Sequence, residues 1–177
     1  ELAEEMMQLD LKVTINTVGI NHSDYGTSLS NLAQLYMTMG QYTKALSLYL
    51  EVLEHTEKNL GKEHSLYRIR LSKLANLYEI LGENNKALAL YREVLEKTQE
   101  SLGKEHSEYG ICLNNLANLY VTMGDHSRAL PMHLEALENA RKSLGEEHPS
   151  YGARLNNLAV LYQTIGEYGK ALPLFIE

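Results

Sequence analysis

With 177 residues, 44% of them hydrophobic and 22% charged, the chain is long enough for one folded domain with its own core. A formal net charge of −7 argues against nucleic acid and anionic membrane as partners. No apolar run approaches the roughly 18–20 residues of a membrane span, and the single cysteine, Cys112, closes no intrachain disulfide and completes no zinc site.

Such sparing thiol usage suits a reducing, cytoplasmic setting. The sequence starts at Glu1 without an initiator Met or secretory signal and stops at Glu177, so an excised fragment is expected.

Residues 1–21 read as the trailing half of a repeat, with Ala3 and Leu11 in phase and Val18-Gly19 where later copies have Leu-Gly. His22, His64, His106 and His148 then follow at intervals of 42 residues. They open three full repeats, 22–63, 64–105 and 106–147, and a shortened fourth, 148–177. Each begins with similar wording: HSDYGTSLSNLAQLY, HSLYRIRLSKLANLY, HSEYGICLNNLANLY and HPSYGARLNNLAVLY.

The first half of each repeat predicts a helix. Leu29, Leu32, Ala33 and Tyr36 recur at the spacing of one helical face, as do Leu71, Leu74, Ala75 and Tyr78 and their later equivalents. Gly40, Gly82, Gly124 and Gly166 then end that helix. A second amphipathic stretch follows, with Ala45, Leu46, Tyr49 and Leu53 on its face, and stops at Leu60-Gly61. The short turn makes an antiparallel hairpin. One hairpin cannot bury its apolar surface alone, and stacked copies can. The predicted class is therefore all-α, one array of helix hairpins over residues 1–177.

The wording Leu32-Ala33-x2-Tyr36 with Ala45-x3-Tyr49 matches the tetratricopeptide signature, with Leu29 in place of its Trp. The period of 42 exceeds the usual period of about 34. The longer repeat resembles those of kinesin light chains, and also arrays in bacterial and fungal signalling proteins beside a switch ATPase or a caspase-like protease. The resemblance implies a right-handed superhelical solenoid whose first helices line a concave groove for an extended peptide or partner surface. It implies a non-catalytic protein-binding scaffold. The alternative is a regulatory or sensor arm of a larger signalling protein, bound to its partner in cis. Asn84, His126 and His133 depart from the pattern, the last standing where Tyr49 does, so looser packing is expected in the third hairpin.

Beside the core stripe runs a second stripe, expected to face the groove. It holds Thr27, Ser30, Asn31, Gln34 and Thr38 in the first repeat, and Ile69, Ser72, Lys73, Asn76 and Ile80 in the second. Ile111, Asn114, Asn115, Asn118 and Thr122 continue it, then Ala153, Asn156, Asn157, Val160 and Thr164. Asparagine and serine are unfavourable inside helices, so their recurrence needs a reason. An amide both donates and accepts, and so can grip a peptide backbone of any sequence. In kinesin light chains, asparagines matching Asn31, Asn115 and Asn157 do this. In chaperone-binding relatives, those matching Asn76 and Asn118 help hold a terminal carboxylate. The competing reading is that these amides bond between hairpins or face water.

Arg68, Arg70 and Lys73 crowd the second repeat and Arg154 stands in the fourth. Two readings fit: an acidic peptide ligand, with Arg70, Lys73 and Arg154 receiving it, or a solvated face paired with nearby Glu. Truncated ends without capping helices would also favour end-to-end self-association.

The histidines are copies, displaced by about two helix diameters, ~20 Å. Zinc needs its ligands within ~2 Å of one point, so no shared metal is expected. Cys112 has no unique His or Asp partner, and its equivalents Ser28, Arg70 and Arg154 suggest a groove-edge or spare position. No catalytic residue and no cofactor is expected.

Overall fold

A computed structural model describes residues 2–17, 19 and 23–176, so Glu1, Val18, Ile20, Asn21, His22 and Glu177 lie outside the described residues. Its helices are α1 Leu2–Thr17, α2 Ser23–Thr38, α3 Tyr42–Leu60, α4 Ser65–Ile80 and α5 Asn84–Leu102. There follow α6 Ser107–Thr122, α7 His126–Leu144, α8 Pro149–Thr164 and α9 Tyr168–Ile176, with no strand among the described residues. The fold is all-α, built of antiparallel helix hairpins. Its contacts form two compact units, Glu1–Leu90 and Tyr91–Glu177, which part inside α5.

In the first unit α2 and α3 close on the repeated stripe. Leu32, Ala33 and Tyr36 of α2 pack with Ala45 and Tyr49 of α3, and Leu29 and Val52 are buried as well. The absence of a side chain beyond Cβ at Ala33 and Ala45, both fully buried, lets the helix axes approach. Met7 and Leu11 of α1 cover one side of this cluster, while Leu74 and Leu77 of α4 complete it.

The turn between helices is a Schellman motif. Gly40 takes φ 69°, its N–H donates to the Met37 carbonyl at 3.1 Å, and the Gln41 N–H donates to the Tyr36 carbonyl at 2.9 Å. The same pair of bonds closes the turns at Gly82, Gly124 and Gly166. A residue with Cβ is strained at that φ, so glycine recurs there.

The second unit repeats the arrangement with α6 and α7, then α8 and α9. Tyr109 and Leu113 pack on Ala136, with Leu95 of α5 and Met132 alongside. Ala140 packs on Tyr151 and Leu155, with Leu137 and Leu174.

His64, His106 and His148 are the N-caps of α4, α6 and α8. Each Nδ1 accepts the N–H two residues on, from Leu66, Glu108 and Ser150, at 3.2, 3.2 and 3.1 Å. The imidazole thus satisfies a backbone donor that the helix leaves open.

Tyrosine heads are bound inside the hairpins. The Tyr25 hydroxyl donates to Glu51 at 2.5 Å and that of Tyr109 to Glu135 at 3.0 Å. Burial first, then the bond to the carboxylate, push both phenols up to about 12.

One buried layer overturns part of the charge reading. Thr14, Thr56 and Thr98 face Ser28, Arg70 and Cys112 fourteen residues later, and Ala140 stands at the same interval before Arg154. Thr14 and Ser28 meet at 3.3 Å, the Arg70 guanidinium donates to Thr56, and Thr98 lies 3.5 Å from the Cys112 sulfur. Arg154 donates to the Ser150 carbonyl at 2.9 Å and leaves its Nε unpartnered. Arg70 and Arg154 are each only 4% exposed, and Arg68 is buried too. Desolvation lowers the pKa of both Arg70 and Arg154. These arginines are therefore interior side chains, not part of a basic groove surface. Cys112 is likewise buried rather than at a groove edge.

His133 is a second correction. It fills the site of Tyr49 and Tyr91 at 1% exposure, so the third hairpin is not loosened there. Its Nδ1 has no partner, and burial pushes the imidazole down to about 4.

Two predictions follow from this packing. A Cβ on Gly152 would meet nothing within 4 Å, whereas one on Gly110 would collide with the Asn139 amide. Asn139 cannot retreat, because its Nδ2 donates to the Lys104 and His106 carbonyls at 2.7 and 3.2 Å. Gly152→Ala should therefore raise stability by about 0.5–1 kcal/mol, from helix propensity. Gly110→Ala should lower it by about 2 kcal/mol, from overpacking. Denaturant melts giving both changes the same sign would contradict this.

The second concerns acid. The unfolded His133 titrates near 6.5 and the folded one near 4, so its contribution is complete above 6.5 and is lost as pH falls towards 4. The loss amounts to roughly 3 kcal/mol. His133→Tyr, which restores the aromatic of the other copies, should remove that part of the acid destabilisation. Equal pH slopes for both proteins between about pH 7 and about pH 4 would contradict it.

Candidate binding face

The stripe beside the core is open to solvent in both units. On α2, Thr27, Asn31, Gln34 and Thr38 are exposed, while Ser30 is buried. On α4, Asn76 is exposed, Ser72 and Lys73 are partly exposed, and Ile69 and Ile80 stand 49% and 47% exposed. On α6, Ile111 is exposed and Asn114, Asn115 and Asn118 are partly so. On α8, Ala153, Asn156 and Val160 are exposed and Asn157 partly so.

Two of the amides meet. Asn157 Nδ2 donates to Asn114 Oδ1 at 3.0 Å, joining the first helices of neighbouring hairpins in the second unit. This realises the inter-hairpin bonding that was the competing reading, for this pair. The bond uses one N–H of Asn157 and one lone pair of the Asn114 carbonyl. The NH2 of Asn114 and the carbonyl of Asn157 keep a donor and an acceptor, the complement of one peptide group.

In the first unit, Gln34 is partly committed, since its carbonyl accepts from the Tyr49 hydroxyl at 3.1 Å. Asn31, Asn76, Asn115, Asn118 and Asn156 lie on the open stripe with Lys73. Arg70 and Arg154 do not. Position in the helix would have told them apart: Arg70 stands one turn from the buried Tyr67 and Leu74, off the phase of Ile69, Lys73 and Asn76.

One recurring feature has a sequence signal that spacing of apolar residues misses. A cation lies over the first-helix tyrosine in every copy: Lys44 over Tyr36, Lys86 over Tyr78, Arg128 over Tyr120 and Lys170 over Tyr162, at 4.8–5.5 Å from the ring centre. The signal is the Lys or Arg before each Ala-Leu of the second helix. These contacts brace the hairpin at the turn.

A small cleft of about 120 Å³ shares no residue with the face and is lined by the Lys104–Glu105 linker, Tyr109 and α7. Among the described residues, no group of three or more His, Cys, Asp or Glu could hold a metal ion, and no helix is long and apolar enough to cross a membrane.

Comparison with known proteins accords with this geometry. No curated protein matches the sequence. Among solved structures, the chain is similar to the nearly identical TPR-like repeats of a Podosopora anserina protein described as a kinesin light chain. Two crystal structures of those repeats give TM-scores of 0.81 and 0.79 at 27% and 26% identity, over 98% of this chain and 82% of that one. BtubC (BKLC) from P. vanneervenii gives 0.74 at 26% identity, over 85% of this chain and 60% of that one. The tetratricopeptide repeat profile matches residues 24–97, 68–142 and 128–177. The chain therefore belongs to the tetratricopeptide repeat family, as an array of the kinesin-light-chain-like type.

Proposed function

We propose that the exposed stripes of the first helices, on α2 and α4 in one unit and on α6 and α8 in the other, each bind an extended peptide or a partner's surface. Tetratricopeptide arrays generally bind proteins or peptides and are typically non-catalytic, and this chain has the fold of such an interaction scaffold. The observation that carries the finer reading is the Asn114–Asn157 pair, flanked by Asn115, Asn118 and Asn156. A peptide main chain presents alternating acceptors and donors, and an open amide cluster on a stiff helical surface can meet them without regard to side-chain sequence. Helical mounting keeps the ordering cost low.

Acidic character in the ligand is supported less than the sequence suggested. With Arg70 and Arg154 inside, Lys73 is the basic side chain of the three that remains on the face. A regulatory arm bound in cis is favoured by no particular observation. The single buried cysteine suits a reducing compartment, and we infer a cytoplasmic setting.

Selection of binders from a random-sequence peptide library tests the reading. The double substitution Asn115→Ala and Asn157→Ala should weaken selected peptides about tenfold, the worth of one or two hydrogen bonds. The melting temperature should fall only modestly, by the loss of the one part-buried bond from Asn157 to Asn114. Binders indifferent to these substitutions but lost on changes to the outer residues Glu96 or Arg141 would overturn it.

A further inference from the structure

Helix α1 departs from the other second helices on one face. At the place of its Leu9, α3, α5 and α7 carry Glu51, Glu93 and Glu135, and at the place of Val13 they carry His55, Lys97 and Asn139. In α3 and α7 that glutamate accepts from a tyrosine on the first helix of the same hairpin, Tyr25 at 2.5 Å and Tyr109 at 3.0 Å. Leu9 offers no acceptor, so this face of α1 is ill suited to a first helix of the repeated type, whose tyrosine hydroxyl would lose its partner. Met6, Leu9 and Val13 stand 64%, 62% and 50% exposed there, at the three-then-four spacing of a two-helix seam. They lie on the opposite side of the helix from Met7 and Leu11, which pack on the core of the first unit.

We infer that this stripe is the docking surface for α1 of a second copy of the chain, laid antiparallel about a two-fold axis. Flanking charge selects that occupant and that direction. Glu5 and Lys12 are exposed along one side of the stripe, two helical turns apart. With Met6 of one helix opposite Leu9 of the other, an antiparallel pair brings Glu5 of each copy beside Lys12 of the other, twice by symmetry. A parallel pair would set Glu5 against Asp10, two like charges. The seam is short, with three apolar side chains from each copy, and falls well below the about 1,600 Å² of a standard interface. The dimer is therefore weak, with a Kd on the order of 0.1 mM. It is also closed, since the contact uses the same surface of both copies.

Sedimentation equilibrium of the chain between about 10 µM and about 1 mM tests this, at low salt so that the ion pairs are not screened. The average mass should rise from monomer towards dimer and no further. Leu9→Glu should raise the Kd about tenfold or more, with helix content by circular dichroism unchanged, because the side chain it replaces is exposed. Glu5→Lys alone and Lys12→Glu alone should each weaken self-association, since like charges then meet across the seam. An equimolar mixture of those two variants should dimerise again, because every Lys of one then faces a Glu of the other. A chain that stays monomeric at about 1 mM, or a mixture that associates no better than its components, would overturn the inference. So would growth beyond the dimer that Leu172→Asp on α9 abolishes and Leu9→Glu does not.

Discussion

A helix hairpin with apolar residues on two faces can bury only one of them between its own helices. The other face needs another hairpin, and that requirement organises the molecule. In the first unit, Leu32 and Ala33 of α2 are closed by α3, but the cluster is complete only with Leu74 and Leu77 of α4 on one side and Met7 and Leu11 of α1 on the other. In the second unit, Ala140 of α7 is buried against Tyr151 and Leu155 of α8. Each contact needs the same register between copies. The Schellman turns and histidine caps set that register by fixing where α4, α6 and α8 start and stop.

That constraint divides residues into copied and free. Copied positions carry the fold: the core leucines, the alanines, the turn glycines, the capping histidines, and the cation over each tyrosine. Free positions are those where copies differ while exposed; they occur on the first-helix stripe and also on the second helices, as at Leu50, Arg92 and Leu134. A surface released from packing is where binding chemistry has room to act.

Helix placement and the buried stripe were legible because they repeat in register, so each prediction was made several times over. Residues of the interhelix layer were not. Ser28, Arg70, Cys112 and Arg154 share one place but no chemistry, and arginine reads as surface by habit. Only the partner helix reveals that Arg70 lies against Thr56 and above Gly26, whose missing Cβ leaves room for the guanidinium. His133 was misjudged for a related reason. A smaller, polar ring suggested slack, yet the site closes on it at 1% exposure, and the consequence appears in its proton affinity rather than in its packing. On the stripe, the bond between Asn157 and Asn114 needed coordinates, because it joins residues on different hairpins.

Side-chain amides report most directly on whether that face binds. Isotope-labelled Asn side chains observed by NMR during titration with a selected peptide would separate the face from the rest of the surface. The amide signals of Asn114, Asn115, Asn118, Asn156 and Asn157 should move, while those of Asn59 on α3 and Asn85 on α5, both exposed on second helices, should stay in place. Shifts confined to Asn59, Asn85 or Asn139 would contradict a binding face on the first helices.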